Sequence, residues 1–441
     1  MTLPPGPRGG RAAMTAAWVA RPGPFLLRAR ARYGDAFTIR IGHEAPWVVL
    51  SDPDAIREVF TGNPEVFHAG EGNEVLLPIL GSRSVLLLDE APHLQARKRL
   101  LPPFHGERLK AWAQTMAEVA EREVATWPRG EPLAVLPRMQ EVTLEIILRT
   151  VFGSTDARLR DALRRMLDRT TGPEGMALMM LLGPERLART RVFRREMDPV
   201  DAVLAEHVRA LRGRDDLGER GDVASMLVAA GMGDEELRDE LMTLLVAGHE
   251  TTATGLAWAT ERLARRPEAL ERLRDGDDEW ADAVVKETLR LRPVLPVVVR
   301  RLTRAAEVGG MTLPAGVAVA PCIYLVHRRE DVYPEPHAFR PERFLGVKPG
   351  TYTWLPFGGG VRRCIGAAFA ELEMRAVLGV LARAADLQPA RPEPERIRRR
   401  AITLTPDRGG EVLLAGARAR RSAASSAARP PAPAAAPGPS G

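Results

Sequence analysis

Residues 356–371 read PFGGGVRRCIGAAFAE, which places one cysteine, Cys364, among four glycines and two arginines ahead of an Ala-rich helical run. The chain has one other cysteine, Cys322. A helix N-terminus carries unpaired N–H groups and a partial positive charge, and both favour thiolate over thiol. Arg362 and Arg363 add full charges in the same sense. Glycines at 358, 359, 360 and 366 leave bare backbone that can approach something flat or bulky. No second cysteine or paired histidine lies near enough for a zinc site, and there is no C-x-x-C redox pair. A nucleophilic cysteine and an inert structural one stay open, the first without an acid–base histidine that the sequence sets beside it. A haem bound by an axial cysteine uses all the features at once: a single thiolate, open backbone and a cation for the ligand's acid groups.

The bulk numbers narrow the class around this segment. At 441 residues, 45% hydrophobic, the chain can bury one large core. No apolar run approaches the roughly 18 residues that cross a bilayer; VAVAPCIYLV stops after ten. The opening MTLPPGPRGG has no apolar signal core, so no secretion signal and no membrane anchor are expected. Two cysteines build no disulfide framework, which fits a cytoplasmic protein. The sequence pI near 9.8 raises a nucleic-acid reading. Of the net charge of +6, however, Arg418, Arg420, Arg421 and Arg429 supply four, leaving about +2 on the body. That is no nucleic-acid footprint.

Residues 416–441, GARARRSAASSAARPPAPAAAPGPSG, are poor in apolar bulk and are expected to be a disordered Ala/Pro/Arg tail after a single domain over 1–415. Residues 35–60 alternate and turn, which predicts two strands and a helix opening at Asp52 or Asp54. Helices are expected over 107–127, 139–152, 157–170, 200–212, 234–265 and 365–384. A second strand region runs from 296 to 320, broken by the hairpin signal EVGGMTLPAG. The fold class is mainly α with minor β.

In the longest helix, Leu237, Leu241, Leu244, Gly248, Thr251, Gly255 and Trp258 step alternately by four and three and share one face. Gly248 and Gly255 read as gaps that let this face lie against a flat ligand. AGHETT, 247–252, sets Glu250 and Thr251 beside the first gap. A mid-helix Thr can bond a preceding carbonyl and loosen the ladder, leaving room for a small molecule such as O2. An ordinary core helix would also read this way. His249 is taken as structural.

The cysteine segment fills F-x-x-G-x-R-x-C-x-G with Phe357, Gly360, Arg362, Cys364 and Gly366, and in this it resembles the haem-binding loop of the cytochrome P-450 monooxygenases. AGHETT is similar to that family's A-G-x-E/D-T motif, and PPFHGERL, ETLRLRP and FRPERF follow the family order, so the likeness spans residues 3–415. The finer match is to the soluble bacterial branch that resembles cyanobacterial fatty-acid and terpene hydroxylases. The resemblance implies the family's fold, a helical bundle around haem with small sheets, and haem b as cofactor with Cys364 as the iron ligand. It implies that Arg362, Arg300, His93 and Arg97 serve the haem propionates and that Phe357 packs on the proximal face. It implies proton delivery by Glu250 and Thr251, and a structural triad of Glu287, Arg290 and Arg343. By itself E-x-x-R is weak, since the chain contains it six times.

Family placement gives pocket walls at Val75, Leu76, Leu77, Leu244, Ala247, Val297, Val298 and Leu404, with the Met-rich GMALMMLLG at 175–183 as a lid. No dinucleotide fingerprint is present. NAD(P)H would therefore act only indirectly, through a ferredoxin or flavodoxin and its reductase. Arg97, Lys98, Arg99, Arg108, Lys110 and Arg363 are the candidate docking charges. The expected activity is O2-dependent hydroxylation or epoxidation of a hydrophobic small molecule, such as a fatty acid, terpene or other secondary metabolite, by a monomer. A non-oxygenating haem-thiolate isomerase or dehydratase and a haem-based sensor or carrier are the alternatives.

Overall fold

A computed structural model describes residues 2–42, 44–104, 106–171 and 182–415. The expected tail, and the lid apart from its last two residues, lie outside the described residues.

The chain opens with α1 (Arg11–Ala20) and α2 (Pro22–Tyr33), then β1 (Ala36–Ile39), β2 (Trp47–Leu50) and α3 (Pro53–Thr61). The Asp52 carboxylate accepts from Ala55 N–H and Pro53 supplies a preset φ, so α3 starts where the sequence signals it. β3 (Phe67–His68), α4 (Leu77–Leu80) and α5 (Glu90–Leu100) lead to α6 (Glu107–Val124). After β4 (Pro132–Ala134) come α7 (Val135–Thr150), α8 (Ala157–Thr171), α9 (Pro184–Ala188), α10 (Arg191–Arg212) and α11 (Val223–Ala229). α12 (Asp234–Ala264) is the long helix, followed by α13 (Pro267–Arg274) and α14 (Asp278–Leu291). Strands β5 (Arg300–Leu302), β6 (Ala306–Val308), β7 (Met311–Leu313) and β8 (Ala318–Pro321) precede α15 (Ile323–Val326) and α16 (Ala367–Ala384). The described chain closes with β9 (Asp386–Pro389), β10 (Ile397–Arg400), β11 (Thr403–Pro406) and β12 (Glu411–Ala415).

The architecture is helical with minor sheet. One five-stranded sheet runs β1-β2-β8-β5-β3, with β2 parallel to β8 and the other pairs antiparallel. The β6–β7 hairpin turns through Gly309 and Gly310, both at positive φ (58° and 71°), as a tight two-residue turn requires. α10 begins nine residues before its expected start at 200 and carries Pro199 inside. Its buried stripe of Phe193, Met197, Val200, Leu204, Val208 and Leu211 holds the helical period across the proline. β3, β4 and β9–β12 went unread, because strands of two to five residues give almost no periodic signal.

The long helix α12 lies in the principal core against α7 and α16. It crosses α16 at Gly255, where an added Cβ would stand 3.2 Å from Met374 Sδ. Every residue from Thr252 to Glu261 is buried. One turn earlier Leu244, Gly248 and Thr251 are half-buried and Ala247 is exposed, which leaves an accessible stripe in mid-helix. Among the described residues no helix is long and apolar enough to cross a membrane.

Candidate active site

The loop before α16 is a constrained backbone. Gly360 sits at φ 64°, and a Cβ there would fall 2.0 Å from Phe60 O; one on Gly359 would fall 2.4 Å from the Phe60 ring. No side chain other than hydrogen fits either position. Cys364 N–H donates to Phe357 O at 3.0 Å, and the Gly366 N–H bonds the cysteine sulfur. Phe357 stands edge-on to Trp354 at 5.9 Å. Around Gly366 a Cβ would meet nothing, so the cradle is open beside the sulfur.

Helix α16 starts at Ala367, three residues after the cysteine, so Cys364 belongs to the loop and not to the first turn. This reverses one expectation. Burial pushes the Cys364 thiol up in pKa, against the Gly366 N–H and the charges of Arg363 and Arg97. Cys364 as a residue keeps accessible surface although protein surrounds its thiol densely. In this setting a bound metal, not the helix terminus, would secure the thiolate. No group of three or more His, Cys, Asp or Glu side chains among the described residues could hold a metal ion.

Near the sulfur the fold gathers three arginines and a histidine from three segments. His93 and Arg97 come from α5, Arg300 from β5 and Arg362 from the loop. His93 is pushed down to about 4, first by burial and then by Arg362 and Arg97. Burial holds Arg300 and Arg362 at about 10. Asp89 is the carboxylate that acts on His93, Arg300 and Arg362. Arg362, expected on a propionate, here pairs with Asp89 and donates to the carbonyls of Val85 and Leu88. Asp89 also accepts from the N–H groups of Ala69, Gly70 and Glu71 at 2.8–3.1 Å. The cluster is rich in positive charge for its burial, a field that suits a dianionic ligand. An open cradle at the thiol and these cations fit haem.

Behind the loop lies the triad, as expected. Arg290 Nε and Nη2 donate to Glu287 at 2.6 and 2.9 Å, and Arg343 Nε reaches the same carboxylate at 3.3 Å. Glu287 and Arg290 have no accessible surface. Sequence reasoning missed His327, which is buried and held neutral. Its Nδ1 lies 3.1 Å from Arg290 O, while Nε2 accepts from Leu355 N–H at 2.8 Å. That imidazole ties the triad to the stretch leading into Phe357. Its only signal was position, in YLVHRRE after a strand.

On the long helix, Thr251 Oγ1 donates to Ala247 O, the ladder contact foreseen. Glu250 is buried, and its carboxyl is raised in pKa by burial, against Arg400 and Gln140. His249 is buried against α7, with Nδ1 2.8 Å from Thr143 Oγ1, and is pushed down to about 3 by burial. The reading of Gly248 and Gly255 as gaps for a flat ligand needs correction. A Cβ on Gly248 would lie 3.1 Å from Ile147 in α7, and one on Gly255 would press on Met374, so both glycines serve helix contacts.

Of the expected wall residues, Val75, Leu76, Leu77, Leu244, Val297 and Val298 are half-buried and Ala247 is exposed. Val298 approaches the cysteine loop, 3.9 Å from where a Gly358 Cβ would be. Leu404 is the exception: β11 carries it into the core with Trp18 and Leu325, and its carbonyl accepts from Trp258 Nε1 at 2.8 Å. Of the docking charges, Lys98 and Arg363 are exposed, Arg99 pairs with Glu236, and Arg108 Nη1 lies 3.0 Å from Met226 Sδ.

Comparison with known proteins agrees with this geometry. The sequence profile of the family Cytochrome P450 matches residues 4–413. The chain is 43% identical over 437 residues to the candidate cytochrome P450 135B1 of Mycobacterium tuberculosis, covering 95% of this chain and 92% of that protein. It is 38% identical to the candidate cytochrome P450 137 of the same organism, with 94% and 91% covered. Among solved structures it is similar to retinoic acid-bound cyanobacterial CYP120A1, with a TM-score of 0.81, 23% identity and coverage of 94% and 99%. It is also similar to CYP175A1 of Thermus thermophilus, with a TM-score of 0.72, 26% identity and coverage of 92% and 94%.

Proposed function

The chain belongs to the cytochrome P450 family, and from that premise we propose that it inserts one atom of O2 into a hydrophobic small molecule such as a fatty acid, a terpene or another secondary metabolite. The observation that carries the reading is the loop thiol of Cys364, with Gly366 N–H on its sulfur and His93, Arg97, Arg300 and Arg362 gathered beside it. Haem held there would supply O2 activation with two electrons.

The chain's own groups have separable tasks. Cys364 would hold the haem iron through its sulfur, and the Gly366 N–H would restrain that sulfur's electron donation. Arg97, Arg300 and His93 face the ligand's carboxylates, with Arg362 bound to Asp89 as the strut that joins this cluster to the cysteine loop. Leu244, Ala247, Val298 and the 75–77 segment wall an apolar space that excludes water. Thr251 holds a hydroxyl on the accessible stripe, and Glu250, one residue away, carries a proton toward it. Electrons come from a ferredoxin or flavodoxin with its NAD(P)H-dependent reductase. Lys98, Arg99, Arg108, Lys110 and Arg363 form the exposed part of the docking face.

Turnover with a surrogate ferredoxin and reductase, against a panel of fatty acids, terpenes and steroids, tests this. Oxygenated product that requires both O2 and electrons is the expected result. Thr251→Ala should retain haem and divert most reducing equivalents to hydrogen peroxide. Product formed without electrons or O2 would favour an isomerase or dehydratase, and unchanged coupling in Thr251→Ala would remove that residue from proton delivery.

A further inference from the structure

The Glu250 carboxyl is held on one oxygen only. Oε2 accepts from Gln140 Nε2 of α7 at 2.7 Å. Oε1 is buried without a hydrogen-bond partner. Arg400 Nη1, at the end of β10, stands 3.7 Å from Oε1, an ion-pair distance that is too long for a hydrogen bond. The Arg400 side chain is 29% exposed, so it connects this buried oxygen with the surface. An amide donor serves a carboxyl in either protonation state, whereas a guanidinium favours the carboxylate.

Resting on the reading of Glu250 as the proton carrier, we propose that Gln140 and Arg400 are positioning residues: Gln140 pins Oε2, and Arg400 governs the exchange of a solvent proton at Oε1. The two arrive from elements remote in sequence, and both reach this carboxyl. The surroundings leave Arg400 in control. Asp168 from α8 opposes it, favouring the protonated acid together with burial. Arg164 from α8 is paired with Glu141 of α7. His249, next along the helix, is neutral. A purely structural Arg400 would tie the β10–β11 hairpin to α12 and leave the titration of Glu250 where it is.

Infrared difference titration of the full haem-loaded chain separates the two roles. The Glu250 acid C=O band is the one lost in Glu250→Gln. Arg400→Gln should move the midpoint of that band upward by about one pH unit or more. Gln140→Leu should move it less in the same direction, and Arg400→Lys should restore most of the wild-type value. An unmoved midpoint in Arg400→Gln with a normal Soret spectrum overturns the proposal, as does the absence of any Glu250 band while the protein stays folded. If the midpoint moves but Glu250→Gln leaves the coupling of O2 uptake to product unchanged, the positioning stands and the proton-delivery reading falls.

Discussion

Around Cys364 the polar groups are committed: the Glu287 carboxylate takes both Arg290 and Arg343, His327 satisfies both ring nitrogens, and Gly359 and Gly360 leave no room for another residue. Along the first half of the long helix they are not. Glu240 and Glu250 each keep one buried oxygen without a hydrogen-bond partner, and an accessible stripe opens at Leu244, Ala247, Gly248 and Thr251. The contrast separates two jobs. The cysteine side is over-determined, as a fixed ligand geometry requires. The long-helix side keeps unmet polar atoms where the proposed reaction would bring substrate, O2 and protons.

The sharpest way to break the contrast is on the committed side. Glu287→Ala removes the carboxylate from the buried Arg290 and the half-buried Arg343 and should cost about 3–5 kcal/mol, enough to abolish folded, haem-loaded protein. Near-normal yield and thermal stability would show that the triad is not the scaffold of the loop.

A smaller effect sharpens the long-helix side. Glu240 has no accessible surface, accepts from Val85 N–H at 3.0 Å and is pushed up to about 8, chiefly by burial and then by Glu236 and Asp239 against the Val85 bond. An acid whose folded pKa is raised contributes stability below its unfolded value of 4.5 and loses it as pH rises through about 8. The urea midpoint should therefore fall as pH rises from about 4.5 to about 8 and level off above that, and Glu240→Gln should flatten the fall while keeping the Val85 bond. An equally steep fall in the variant would place the pH sensitivity elsewhere, with Asp239 and Glu373 as the next acids raised by burial.

Legibility in the sequence divides along the same line. The cysteine loop is a contiguous pattern, so Phe357, Gly360, Arg362 and Cys364 could be read together, and FRPERF led to Arg343. The helix boundaries of α3, α8 and α12 followed from caps and period. What failed depended on burial or on distant chain. The pKa direction of Cys364 was misjudged because desolvation cannot be seen in a string of residues. Leu404 was misplaced because the β10–β11 hairpin turns it into the core. Gly248 and Gly255 looked like ligand gaps, but their neighbours Ile147 and Met374 come from other helices. His327, Gln140 and Arg400 carry no motif and acquire meaning only through the groups they meet.

Everything rests on iron bound through the sulfur of Cys364, and the most direct measurement is the Soret band of the reduced carbonyl complex. The wild-type chain should give the red-shifted band of a thiolate ligand, and Cys364→Ser should lose it while still folding. A red-shifted band that survives in Cys364→Ser, or a wild-type spectrum of nitrogen-ligated haem, would contradict the assignment.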